Sequence, residues 1–408
     1  MVAGTVLLTA CAPVARSATN PAAPPPEAES PGLAAFDRVM TALLARFAIP
    51  GGALAIAHEG RLVLARGYGQ ADVEAGEPVR PDALFRLASL SKPITAAAVL
   101  RLAEMGRVGL DDPVLPLLAR LGAPADPRLP RVTPRLLLHH TAGWDQARTV
   151  DPTYGLGARQ AMEAAGLPGP PTCEGAIRFM LGRPLDFDPG ARFAYSNFGY
   201  CVLARVLEEA TGERYEAWVR EHVLAPAGIT RMRAGRTRLE DRAPDEVRYY
   251  DYPGAPPARS VFDATAAVPA PYGGFALEHR GGQGGWIASA VDFVRFTLAL
   301  DGTRGPAILT PASAALIEER PAGLRGAAYY GMGWMVRPGE SGATWSHTGS
   351  VPGAASYVVR MPRGRVWVAL FNSRPRDRDG FFAQLDRGLR EAARESEWPA
   401  YDLFERFR

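Results

Sequence analysis

Strand-like runs at both ends of the chain, with short helical segments between them, predict an α/β fold of the α+β type. One antiparallel sheet assembled from both termini and flanked by helices would carry an inserted, mainly helical lobe. Two hairpin signals and a change of texture over about 108–285 support this reading. The cleft between sheet and lobe is the expected ligand site.

Residues 1–31 stand apart from the rest. "MVAGTVLLTAC" is a short apolar run ending at Cys11, and a Pro/Ala-rich stretch that cannot bury a core follows it. "LTAC" resembles a bacterial lipobox, whose cysteine is lipidated, although no Lys or Arg precedes the apolar run. Export, with a lipid tether at Cys11 and a periplasmic or membrane-anchored location, is the expectation. A short N-terminus with an incidental cysteine, in a cytoplasmic protein, is the alternative.

The folded domain is expected over 32–395, with 396–408 as a C-terminal tail. Residues 32–48 show helical spacing. Two β-rich runs near 52–58 and 61–67 flank "EG", a hairpin. A long helical pattern covers about 90–106. From 108 to 285 proline and glycine break up short helical segments, and 236–285 is loop-heavy, including "GGQGGW". Loops of that length in a compact protein tend to be functional. Strand patterns then return in "YYGMGWMVR", "ATWSHTG" and a hairpin around "PRG", before a last helical run.

Composition narrows the function. Hydrophobic content is 47%, charged content 22% and net charge +3 over 408 residues. That is an ordinary globular composition with no basic run to suggest nucleic acid. Beyond the N-terminus no apolar run reaches the ~18–20 residues that span a membrane. Three cysteines imply no disulfide framework. Cys173 and Cys201 are read as small buried side chains, although an oxidising compartment would permit them to pair. The adjacent His139 and His140 make a poor metal pair, and neither metal nor cofactor is expected.

One residue is out of pattern. Of 46 Lys and Arg residues only Lys92 is lysine. It follows Ser89 by three in "SLSKP", and Pro93 belongs in a first helical turn. On such a turn residues i and i+3 share a face, so the amine reaches the hydroxyl. A serine must lose its proton as it attacks. Lysine can be made neutral by burial or a neighbouring cation and so accept that proton; arginine cannot. Spacing alone is weak support for this chemistry.

Two further stretches strengthen it. "RFAYSNFGY" holds Tyr195 and Asn197, and "SHTGSVPG" holds His347, Thr348 and Gly349. Singly, Tyr195 and Asn197 read equally well as a turn and a helix cap, and His347 as a strand histidine. In order after S-x-x-K, they resemble the Y-x-N and third elements of the serine β-lactamase and D-Ala-D-Ala peptidase superfamily. The branch is that of class C β-lactamases, carboxypeptidases and esterases, and the likeness covers about residues 33–395. It implies Ser89 as the acylated nucleophile, Lys92 as its proton acceptor and Tyr195 as general base. It implies that a cationic neighbourhood lowers the Tyr195 pKa. Asn197 would hold Lys92 and the substrate amide, and His347 would lie beside Tyr195. With these, Thr348 and Gly349 would orient substrate, Gly349 letting its backbone pass close to the strand. The oxyanion hole would be the N–H groups of Ser89 and Ser350. His140 is read as structural, and Trp144, Tyr272 and Trp286 as cleft lining or core.

Substrate stays open. H-T-G replaces the K-T-G usual in class C enzymes, which favours an ester or D-amino-acid peptide over a β-lactam. A non-catalytic sensor is disfavoured by the intact set, and an α/β-hydrolase by the lack of G-x-S-x-G. The oligomeric state is not legible.

Overall fold

The computed structural model describes Met1, residues 31–263 and residues 265–407. Cys11 and its flanks lie outside the described residues. From the N-terminal side come helix α1 (Ala34–Phe47) and strands β1 (Gly51–His58), β2 (Arg61–Asp72) and β3 (Glu77–Pro78). From the C-terminal side come β4 (Tyr329–Tyr330), β5 (Met335–Arg337), β6 (Thr344–Val351), β7 (Ala354–Met361) and β8 (Arg365–Phe371). They form one eight-stranded sheet in the order β3-β2-β1-β8-β7-β6-β5-β4. The termini meet where β1 pairs antiparallel with β8, Gly52 opposite Phe371 through Ala57 opposite Val366.

Both expected hairpins form. Glu59 and Gly60 (φ 52° and 75°) turn β1 into β2, and Arg363 and Gly364 (φ 62° and 64°) turn β7 into β8. Both turns need left-handed backbone, which glycine adopts without steric cost.

The two sheet faces bury different partners. Along β1, Leu54 and Ile56 face α1 and the C-terminal helix, while Ala53, Ala55 and Ala57 face the lobe. Helix α1 presents Phe36, Met40 and Leu43, and Arg378–Glu395 presents Phe381, Leu385 and Leu389. Each such side chain contributes about 1.5–3 kcal/mol on burial. On the other face Phe293 and Phe296, from the helix Ala290–Ala299, pack in the cluster containing the alanines. Small residues there let a helix bearing large rings sit close. The segment after the helix Arg378–Glu395 returns to the sheet: the Leu403 N–H donates to the Leu62 carbonyl at 2.8 Å, and Phe404 is buried.

The inserted lobe is helical, with short strands. Helix α2 (Ser91–Glu104) is buried nearly all round, as a central helix must be. Cys173–Leu181 packs against α3 (Asn197–Thr211). Here the reading of two separate buried thiols is corrected, because Cys173 and Cys201 form a disulfide, with their Cα atoms 5.7 Å apart. They lie 28 residues apart in sequence, so only the packing of the two helices brings them together.

Candidate active site

Ser89 lies on a 3₁₀ turn, Ala88–Leu90, that runs directly into α2. Ala88 has φ 47°, a left-handed conformation unusual for a residue with a Cβ, and such strain is found at functional sites. The turn is held from outside. The Leu87 N–H donates to the Trp286 carbonyl at 2.8 Å, and Ser356 Oγ donates to the Leu87 carbonyl at 2.6 Å.

Lys92 is fully buried. Its Nζ lies 3.1 Å from Ser89 Oγ, 2.9 Å from Asn197 Oδ1 and 2.8 Å from the Gln283 carbonyl. Both carbonyl-type oxygens can only accept, so they take two N–H bonds. The third direction faces the Ser89 hydroxyl, which can donate or accept. Burial holds the amine well below the ordinary lysine range. The Arg280 guanidinium adds to this, and Asp151 acts against it. In its neutral form the amine can turn its lone pair towards the Ser89 proton.

Tyr195 OH lies 2.9 Å from Ser89 Oγ and donates to it. The backbone on both sides of Tyr195 is fixed by His140. The Ala194 N–H donates to the His140 carbonyl at 2.9 Å, and the Ser196 N–H donates to His140 Nδ1 at 3.1 Å. The two rings lie 4.4 Å apart. His140 is buried with φ 58°, and burial together with Lys92 keeps its imidazole neutral. The expected lowering of the Tyr195 pKa does not occur: burial raises it above 10.0, outweighing the nearby cations.

Other expectations are also corrected. His347 hydrogen-bonds Tyr330 in place of Tyr195. Its Nε2 lies 2.9 Å from Tyr330 OH and its Nδ1 2.7 Å from the Thr348 carbonyl. The carbonyl requires Nδ1 to carry the proton, so Nε2 accepts from Tyr330. Burial and Lys92 push the His347 pKa down to about 3, leaving it neutral. Strand alternation turns Thr348 to the opposite face from His347 and Gly349, where it is exposed. A Cβ on Gly349 would come 2.5 Å from the Leu87 carbonyl and 2.9 Å from Ser89 N. Its glycine therefore lets β6 approach the nucleophile's own turn, rather than a substrate backbone. One of the two Asn197 Nδ2 hydrogens is donated to Asp151 Oδ2 at 2.8 Å.

Ser89, Asn197 and Ser350 line a cleft of about 750 Å³, together with Asp151, Arg280 and Gln283. Trp144, Tyr272 and Trp286 are not among its walls: Trp286 is fully buried, Trp144 packs on Phe198, and Tyr272 lines a separate groove. Tyr154 and Tyr252 are its aromatic residues. Gln283, Asp151 and Arg280 carry no spacing signal. Gln283 acts through its main chain, and only the loop-rich, glycine-flanked "GGQGG" hinted at a close approach.

The beta-lactamase family profile matches residues 36–389. Esterase EstB of Burkholderia gladioli is 36% identical over 202 residues, 48% of this chain and 50% of that one. A D-aminopeptidase of Gluconobacter oxydans is 31% identical over 217 residues, 50% of this chain and 36% of that one. The chain thus spans half or less of these curated relatives. The structure of a D-amino acid amidase from Ochrobactrum anthropi SV3 superposes with TM-score 0.67 at 23% identity, covering 88% of this chain and 98% of that one. Fold and relatives together define a serine hydrolase. The chain belongs to the beta-lactamase family.

Proposed function

We propose that this chain is an S-x-x-K acyl-serine hydrolase acting on an ester or a D-amino-acid amide or peptide. The observation that carries the reading is the Lys92 amine, buried and held by two carbonyl oxygens with its third direction on Ser89 Oγ. The likeness to an esterase and to a D-aminopeptidase supports the two substrate branches.

In the proposed reaction Ser89 Oγ attacks the substrate carbonyl carbon as Lys92 takes the hydroxyl proton. The carbonyl oxygen becomes an oxyanion facing the N–H groups of Ser89 and Ser350. The intermediate collapses, the bond to the leaving group breaks, and that group takes a proton from Tyr195 OH. Lys92 reprotonates the phenolate, so the serine proton leaves with the first product. Water then attacks the acyl carbon as Lys92 takes one of its protons; the acyl–Oγ bond breaks, Ser89 Oγ takes that proton back from Lys92, and the acid is released with both groups restored. Because Tyr195 is held protonated, it relays the proton and Lys92 is the base.

We further propose an exported protein tethered through Cys11. The Cys173–Cys201 disulfide supports an oxidising compartment. Among the described residues no helix is long and apolar enough to cross a membrane.

Labelling by a fluorophosphonate or a fluorescent penicillin tests the reading: the wild type labels and Ser89→Ala does not. A folded wild type that resists both reagents refutes it. Nitrocefin separates the β-lactamase alternative. Turnover no faster than that of Ser89→Ala rejects that alternative.

A further inference from the structure

We propose that Arg280 is the anion-recognising group of the cleft, so that the substrate carries a carboxylate or an equivalent anionic group within reach of Ser89. This rests on the acyl-serine reading and specifies its substrate class.

Arg280 is only 5% exposed, yet it lines the same cleft as Ser89. Its Nη1 donates to the Thr153 carbonyl at 2.5 Å, and its guanidinium lies 5.3 Å from the centre of the Tyr154 ring. Its Nε is enclosed and without a partner. Among the described residues no carboxylate forms an ion pair with it within 4.0 Å. A guanidinium has five N–H donors, and removing that charge from water without pairing is costly.

Other arginines show how this chain settles the same problem elsewhere. Arg86 is buried still more deeply and its Nε also lacks a hydrogen bond, but its other N–H groups donate to the carbonyls of Pro271, Arg236 and Thr237, and the Glu246 carboxylate lies 4.0 Å away. At the cleft wall Arg374 is paired with Asp251 at 3.0 Å, and Arg378 with Asp379 at 3.0 Å. The Asp151 charge favours the charged guanidinium of Arg280 from nearby, but Asp151 does not bond to it. Its carboxylate instead accepts from Asn197 Nδ2, from the Thr153 N–H and from Thr153 Oγ1.

The space around Arg280 suits a ligand. A Cβ on Gly284 would lie 3.7 Å from Arg280 Nε and 3.7 Å from the Ala88 carbonyl. Those are ordinary contact distances, so glycine leaves room between the guanidinium and the nucleophile's turn. A carboxylate in the cleft would meet the unfilled Nη donors of the guanidinium. The same cation also disfavours protonation of Lys92. That second effect acts on every substrate, whereas recognition of an anion acts only on charged ones.

The test compares kcat/KM for 4-nitrophenyl hydrogen glutarate with its neutral methyl glutarate counterpart, and for 4-acetoxybenzoate with phenyl acetate. One pair carries the charge on the acyl side, the other on the leaving group. The wild type is expected to favour one anionic ester by about 10- to 100-fold, the range of a charged hydrogen bond. Arg280→Gln should lose that preference and Arg280→Lys should keep part of it. No preference in the wild type, or an equal fall for charged and neutral esters in Arg280→Gln, overturns the proposal. Fluorophosphonate labelling of every variant reports Ser89 independently. If the wild type fails to label, the acyl-serine reading falls, and calorimetry with glutarate still decides anion binding. Heat present in the wild type and lost in Arg280→Gln supports the proposal, and equal heats reject it.

Discussion

The Lys92 amine stands 3.1 Å from Ser89 Oγ with its other two directions taken by the carbonyl oxygens of Asn197 and Gln283. Only the proton shared with Ser89 is therefore free to move. The arrangement requires a side chain that can be neutral.

Lys92→Arg keeps the charge and should still fail. Arg86 shows that the chain can bury an arginine, but a guanidinium cannot accept the Ser89 proton. The rate of Ser89 acylation should fall by about 10²–10⁴-fold in Lys92→Arg and in Lys92→Ala, measured by single-turnover labelling. A near wild-type rate in the arginine variant would show that charge alone matters.

The acid side of the pH profile should report Lys92. Its pKa is held well below 10.5, so the neutral, active amine persists to lower pH than an ordinary lysine's and is lost as pH falls through that depressed value. No rise in kcat/KM should appear near pH 10. A profile that keeps climbing to alkaline pH contradicts a buried neutral amine.

His347 should lower stability in acid. Its folded pKa is about 3 against an ordinary 6.5. Below pH 6.5 the unfolded chain gains a proton that the folded one refuses, so stability falls with pH until about 3. From pH 7.5 to 5 this amounts to about 2 kcal/mol. Urea unfolding of His347→Gln should show a smaller loss over that interval; an unchanged loss would place the titration elsewhere.

Gly349→Ala should damage catalysis while leaving the sheet intact. The added Cβ meets Ser356 Oγ, the Leu87 carbonyl and Ser89 N, so β6 and the nucleophile's turn must separate. A displacement of that kind costs on the order of 10²-fold in kcat/KM. Circular dichroism checks the fold, and full activity in the folded variant would refute the close-approach role.

Reducing or deleting the Cys173–Cys201 link should cost about 2–4 kcal/mol. Urea midpoints of Cys201→Ser, and of the wild type with and without reductant, measure it. Two free thiols by mass spectrometry in the unreduced wild type would remove the disulfide from the account.

Local patterns were legible from sequence where the contacts themselves are local. The "EG" and "PRG" hairpins follow from turn chemistry, and Ser89 and Lys92 meet within a single helical turn. Long-range relations were less legible. Pairing of Cys173 and Cys201 was admitted only as the less favoured reading, because helix packing and not spacing sets their separation. Thr348 sits in a recognised motif, yet strand alternation turns it away from His347 and Gly349. Tyr195 was expected in a cationic field, but burial dominates its titration.

By itself the sequence determined the chemistry at one point. A lone lysine three residues after a serine, in a chain otherwise committed to arginine, marks a position that needs a removable proton. Tertiary structure decided how that proton is controlled. The Gln283 carbonyl belongs to the main chain and is the same for any residue type, so no motif reveals it. The burial of Lys92 and the unpaired charge of Arg280 arise only when loops distant in sequence close over the site. Desolvation, which sets both, belongs to the packed protein and to no single residue.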